Sequence, residues 1–124
     1  LASHNQVDIA LDPYPYHGES TTYHSLLMGL PLVSRSGNSC ASSVSDRILS
    51  TINRQNWIAN DFNEYIDIAI ALAHDVGSLI SNRKTLRQEV ENSPLMNFKQ
   101  VTENIESALM SGWQMVCNSQ NLDS

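Results

Sequence analysis

Short apolar runs alternate with longer stretches of helical periodicity along this chain. Val7, Ile9 and Leu11 alternate loosely and stop at Asp12-Pro13, which predicts a short strand closed by a breaker. Pro15 and Gly18 mark 14–19 as a loop. Ser20 and Thr21 are N-cap candidates for a helix over 22–28, with Tyr23, Leu26, Leu27 and Leu30 at helical spacing. Gly29 stops that helix and Pro31 cannot continue it. A second short strand is predicted at 32–34, then a turn at 36–39, then a helix with Ala41, Val44, Ile48, Leu49 and Ile52 on one face. A very short third strand is predicted at 57–59. Asp61 and Glu64 have capping-box spacing for a third helix. Its expected buried stripe is Tyr65, Ile68, Ala69, Leu72, Val76, Leu79 and Ile80, with Gly77 as the expected break. After Ser93-Pro94, a last helix over about 97–113 places Phe98, Val101, Ile105, Leu109 and Trp113 on one side. Trp57, Trp113, Tyr65 and Phe98 are expected in the core. The polar tail 118–124 is expected to fray.

The order strand, helix, strand, helix, strand, helix, helix predicts an α/β fold, a right-handed βαβαβ unit with a parallel, Rossmann-like sheet. Parallel strands need both faces covered and an extended sheet. The first strand would leave one edge bare, so the architecture is expected to be truncated on that side. It should associate through that edge, with itself or with an N-terminal remainder of a longer protein, and the start at Leu1 rather than Met fits the latter.

Composition narrows the classes. The 124 residues allow one domain, and 41% hydrophobic with 16% charged residues is globular. A net charge of -6 with seven Lys and Arg argues against a nucleic-acid partner. No apolar run approaches the ~20 residues of a membrane span, and no signal-peptide pattern is present. Cys40 and Cys117 fit no metal or redox spacing and are expected as reduced, partly buried thiols of a cytoplasmic protein.

Ligands of open α/β sheets sit beyond the carboxyl ends of the strands, and the first such end is the segment 12–22. Gly18 permits close backbone approach, and Ser20, Thr21 and Thr22 begin a helix whose free N–H groups favour an anion such as a diphosphate. An ordinary helix start without a ligand explains the same residues. His17 sits where it can bond a phosphate or a base edge. His17, Glu19 and His24 match no common zinc spacing, and no metal is expected. Ser20 beside His17 lacks the elbow of a serine nucleophile. Asp12 reads as a turn residue before Pro13, and the Arg83, Lys84 and Arg87 stretch reads as a solvated face. Arg35, Arg47 and Arg54 receive no role.

The segments Asp8-Ile9-Ala10-Leu11-Asp12, His17-Gly18-Glu19-Ser20-Thr21-Thr22 and Met28-Gly29-Leu30-Pro31-Leu32-Val33 resemble the nucleotide-binding half of O-linked N-acetylglucosamine transferases and their bacterial Spindly-like relatives. The resemblance continues through Gly37, Cys40-Ala41-Ser42-Ser43-Val44, Trp57-Ile58-Ala59, Glu64-Tyr65 and Asp67-Ile68-Ala69. It ends in Ser93-Pro94-Leu95-Met96-Asn97-Phe98-Lys99-Gln100 and so covers nearly the whole chain. It implies the C-terminal part of the second lobe of a GT-B glycosyltransferase, a three-layer parallel sheet ending in long helices. Residues 1–95 would then belong to the nucleotide-binding lobe and 96–124 to a C-terminal helix and tail. The family takes UDP-N-acetylglucosamine without a metal or further cofactor and passes the sugar to Ser or Thr of acceptor proteins with inversion. By position, the resemblance implies donor contacts from His17, Gly18, Glu19, Ser20, Thr21, Thr22 and His24. Two positions depart from the family. His24 stands where members carry an acidic residue that accepts bonds from the ribose hydroxyls. Glu19 stands where the best-known members have His and many bacterial ones Gly. The family's lysine and proton-transfer residues match nothing in this chain, so no catalytic residue is assigned and the polypeptide alone is expected to be inactive. The alternative is a non-catalytic nucleotide-binding or interaction module derived from the fold.

Overall fold

Gly- and Pro-bounded apolar segments build the expected alternation. The computed structural model describes residues 5–120. Strands β1 (Ala10–Leu11), β2 (Leu32–Arg35) and β3 (Ile58–Ala59) alternate with helices α1 (Glu19–Leu27) and α2 (Val44–Thr51). Three helices follow, α3 (Phe62–His74), α4 (Val76–Glu91) and α5 (Phe98–Gln120). The strands form a parallel sheet in the order β1-β2-β3, with Ala10 beside Leu32 and Ser34 beside Ile58. Backbone bonds extend the ladder past the strand ends, from Asp12 N–H to the Val33 carbonyl (2.9 Å) and from Ser36 N–H to the Ala59 carbonyl (2.7 Å). Pairing therefore continues to the carboxyl edge, where the connecting loops gather.

Successive residues of a strand point to opposite faces. Ser34 reaches Asp46 of α2, whereas Arg35 stacks on Phe62 of α3. Thus α2 and α3 cover opposite faces, and the chain has three layers. Leu26, Leu32, Val33, Ile48, Leu49, Ile52, Trp57, Leu72, Leu86 and Val90 form the core. The side chain of Tyr65 on α3 donates to the backbone carbonyl of Asp12 (3.0 Å), fastening α3 to the end of β1. Burial, and secondarily the Asp12 carboxylate, push the Tyr65 phenol above its ordinary value.

Helix α1 ends in a Schellman motif. Gly29 N–H donates to the Leu26 carbonyl (3.0 Å) and Leu30 N–H to the Ser25 carbonyl (2.9 Å). Gly29 takes φ +77, and a Cβ there would lie 2.8 Å from Arg83 Cα and 2.9 Å from the Arg83 carbonyl oxygen. The glycine is thus required twice, by its own backbone and by the close passage of α4.

Several element ends differ from the sequence reading. β1 begins only at Ala10, β2 extends to Arg35, and Trp57 belongs to a 3-10 turn (Gln55–Trp57) that precedes β3. Helix α2 starts at Val44 because Ser39 and Ser42 bond each other across the preceding turn (2.8 Å). The break between α3 and α4 falls at Asp75 rather than Gly77, since the Asp75 carboxylate accepts the Ser78 N–H (3.0 Å) and starts a new helix. That restart rephases the stripe, leaving Val76 and Ile80 exposed. Helix α5 runs on to Gln120, so the part of the expected frayed tail at 118–120 is helical, while 121–124 lies outside the described residues. The apolar side of α5 has the expected spacing but is exposed, from Phe98 through Val101, Ile105 and Leu109 to Trp113. Phe98 and Trp113, expected in the core, are 68% and 66% exposed. Cys40 is exposed and Cys117 half-buried.

Three stability outcomes follow. Gly29→Ala should cost about 2–4 kcal/mol, combining a left-handed backbone with overpacking against α4. Gly112→Ala in the exposed interior of α5, where a Cβ meets nothing within 4 Å, should gain about 0.5–1 kcal/mol; urea unfolding of both variants checks the pair. Because the folded Tyr65 pKa is raised, its contribution is intact below pH about 10 and is lost as pH climbs from there through the folded value. Tyr65→Phe should therefore cost about 1 kcal/mol at neutral pH and flatten the decline above pH about 10, read by urea midpoints across that range.

Candidate functional site at the carboxyl edge of the sheet

The segment after β1 returns along the carboxyl edge before α1 begins, and a buried carboxylate sets its course. Asp12 and His17 are each 3% exposed, and Ser34 and Ser45 are fully buried beside them. Asp12 Oδ1 accepts the Gly18 N–H (2.9 Å), and Oδ2 lies 3.2 Å from the Ser34 hydroxyl, which also has Asp46 Oδ1 at 3.3 Å. Ser34 carries one proton and donates to one of these carboxylates at a time. Asp12 is thus a hub of the loop rather than the plain turn residue expected.

The ring of His17 is fixed from both sides. Its Nε2 lies 2.9 Å from the Arg35 carbonyl, and its Nδ1 accepts the Ser45 N–H (3.2 Å). A carbonyl only accepts and an amide only donates, so the ring is the neutral Nε2–H tautomer. The 3.5 Å approach of Nδ1 to Asp12 Oδ2 is then a polar contact and not an ion pair. With both ring nitrogens engaged inside the fold, His17 positions the loop that borders the cleft.

Helix α1 starts one residue before the expected caps. Gly18 is the N-cap, no side chain caps the helix, and Ser20 and Thr21 lie inside its first turn. The Glu19, Ser20 and Thr21 amides therefore lack intrahelical acceptors. The cause is steric as well as polar: a Cβ on Gly18 would sit 1.9 Å from Thr21 Oγ1. Thr22 does not face the opening. Its buried hydroxyl donates to the Gly18 carbonyl and lies 2.9 Å from Ser45 Oγ, tying α1 to α2.

The open turn faces a cleft of about 570 Å³ lined by Tyr16, His17, Gly18, Glu19, Ser20, Thr21, Cys40, Ala41 and Val44. The opposite wall is the loop after β2, pinned by the bond from His17 N–H to the Ala41 carbonyl (2.9 Å). Sequence reasoning missed Tyr16, Cys40, Ala41 and Val44 as wall residues, although the loop after β2 lies beyond a strand's carboxyl end by the same rule that singled out 12–22. His24 is exposed and outside this lining, one turn beyond Ser20 on the same helical face. Glu19 does line the cleft. Its charge, after burial, raises the Tyr23 pKa above the ordinary value. Among the described residues, no group of three or more His, Cys, Asp or Glu is placed to hold a metal ion. None of the described helices is long and apolar enough to cross a membrane.

This arrangement can bind an anion through three free amides, two hydroxyls and the positive end of a helix. The chain as a whole is similar to known proteins. A structure of a mutant of the Thermobaculum terrenum O-GlcNAc transferase superposes with a TM-score of 0.83 at 31% identity, over 95% of this chain and 23% of that one. The fold therefore agrees with the glycosyltransferase lobe expected from the resemblance. A curated relative from Solanum lycopersicum, named "Probable UDP-N-acetylglucosamine--peptide N-acetylglucosaminyltransferase SPINDLY", is 39% identical over 95% of this chain. Its counterpart of the same name in Petunia hybrida is 38% identical, again over 95% of this chain. The chain spans 13% of the length of these two relatives. The model of glycosyl transferase family 41 matches residues 3–105, and the chain belongs to that family.

Proposed function

We propose that this chain forms the diphosphate and ribose side of the donor site in a glycosyltransferase that takes UDP-N-acetylglucosamine and modifies Ser or Thr of proteins. The uncapped first turn of α1, opening on the cleft, is the observation that carries this reading. A helix end offers roughly half a positive charge together with oriented N–H donors. Glu19, Ser20 and Thr21 supply the amides, and Ser20 and Thr21 add hydroxyls. His24 lies one turn further along, where a neutral imidazole accepts one hydrogen bond from a ribose hydroxyl. When the sugar passes to an acceptor oxygen, the bond from its anomeric carbon to the diphosphate breaks and negative charge gathers on the leaving phosphate. Donors already aimed at that position stabilise the charge as it develops. The residues of this chain hold the leaving group; the reading gives none of them the acceptor's proton.

Glu19 supports a second reading, a nucleotide-binding or interaction module without transfer activity. Glu19 lies in the cleft wall, where its charge opposes an incoming anion.

Calorimetric titration with UDP tests both. The chain should bind, and the double substitution Ser20→Ala/Thr21→Ala should weaken binding about tenfold or more with helix content unchanged by circular dichroism. Equal affinity in the folded double variant overturns the donor reading. Binding by Glu19→Gln but not by the folded parent chain favours the second reading.

A further inference from the structure

The carboxyl edge carries a second cluster, on the face of β2 opposite the helix-end cleft. Arg35 turns toward α3, and its guanidinium lies 4.1 Å from the ring centroid of Tyr14 and 4.2 Å from that of Phe62. The two rings meet edge to face with centroids 6.1 Å apart. This clamp fixes the plane of a side chain that is otherwise free to sample many rotamers. The Nε atom is buried with no hydrogen-bond partner among the described residues. By contrast, Arg54, Arg87 and Lys99 each pair with a glutamate, whereas Arg35 has no carboxylate partner among the described residues. The neighbouring Asp61 carboxylate accepts the Glu64 N–H and caps α3. The flanking rings are themselves open, Tyr14 at 41% and Phe62 at 57% exposure. An oriented, unpaired arginine fork between exposed aromatic rings has the composition of a polypeptide-binding hot spot.

We propose that Arg35, clamped between Tyr14 and Phe62, binds a carboxylate side chain of the acceptor polypeptide. The proposal rests on the donor reading above. The donor diphosphate is held on the other face of β2, so the fork is left for the second substrate. Tyr16 lines the donor cleft and Tyr14 stacks on Arg35. Two residues of chain span at most about 7 Å, so the clamp borders that cleft and an acidic residue two or three positions from the acceptor Ser or Thr comes within its reach.

The arginine Nε–H signals in nitrogen-15 NMR spectra of the full chain read this site, and the Ser20 and Thr21 amides read the donor site in the same spectra. The titrants are a Ser-containing peptide with Glu two or three positions from the Ser, its Gln counterpart, inorganic pyrophosphate and UDP. The acidic peptide should shift the Arg35 Nε–H saturably, at least about tenfold more tightly than the Gln peptide. Arg35→Lys, which keeps the charge and loses the fork, should weaken acidic-peptide binding and leave the UDP response of Ser20 and Thr21 intact. Equal binding of both peptides, an equally strong Arg35 response to pyrophosphate, or silence at Arg35 overturns the proposal. Silence of Ser20 and Thr21 toward UDP beside a responsive Arg35 counts against the donor reading instead.

Discussion

A buried carboxylate without satisfied oxygens costs several kcal/mol, so its surroundings must be built to meet it. Asp12 imposes that constraint at the end of β1. One oxygen takes the Gly18 amide and the other faces the Ser34 hydroxyl. Those bonds draw the loop back over the carboxyl edge and set the residue at which α1 begins. Everything in the cleft inherits its position from this arrangement. His17, one residue before Gly18, reaches the ends of β2 and α2. Thr22, one turn later, joins α1 to α2 through Ser45. Tyr65 holds the Asp12 backbone from the other face of the sheet. A helix end that meets a charged ligand must not be filled by its own side chains, and this network anchors α1 while leaving its first turn uncapped.

Much of the fold is legible in sequence because local chemistry decides it. Gly29 and Pro31 end α1, Asp61 and Glu64 start α3, and the alternation of apolar runs with helical stripes gives the parallel order. Boundaries fail where a polar side chain wins over an apolar pattern, as at Asp75, whose cap restarts the helix inside one continuous stripe. The stripe of α5 shows a different limit. Periodicity reports that a helix has an apolar side, but it carries no information about what that side meets. Phe98 and Trp113 have core-like spacing and stand exposed among the described residues.

The site was legible at its opening and hidden at its base. A glycine followed by hydroxyl residues at the start of a helix marks an anion site by local rules. The hub beneath it joins Asp12, His17, Ser34, Ser45 and Asp46 from three connected segments, and no spacing rule links residues so far apart along the chain. Reading Asp12 as a turn residue followed from seeing only its neighbours in sequence, which also hide the ring partners of His17. The Arg35 cluster is hidden for the same reason, because Tyr14 reaches it from the loop after β1 and Phe62 from the first turn of α3. The departures at Glu19 and His24 were visible from resemblance alone, and the structure adds that the first lies in the cleft wall while the second lies outside it.

In the proposed donor site, Asp12 holds the first turn of α1 in the orientation that receives a diphosphate. The direct measurement is UDP affinity of Asp12→Ala, with folding followed by circular dichroism. Removing the carboxylate leaves the Gly18 amide without its acceptor, a cost of about 1–3 kcal/mol, while the Ser34 hydroxyl keeps Asp46. This role of Asp12 predicts a folded variant that binds UDP at least about tenfold more weakly than the parent chain. Undiminished affinity in folded Asp12→Ala would contradict it.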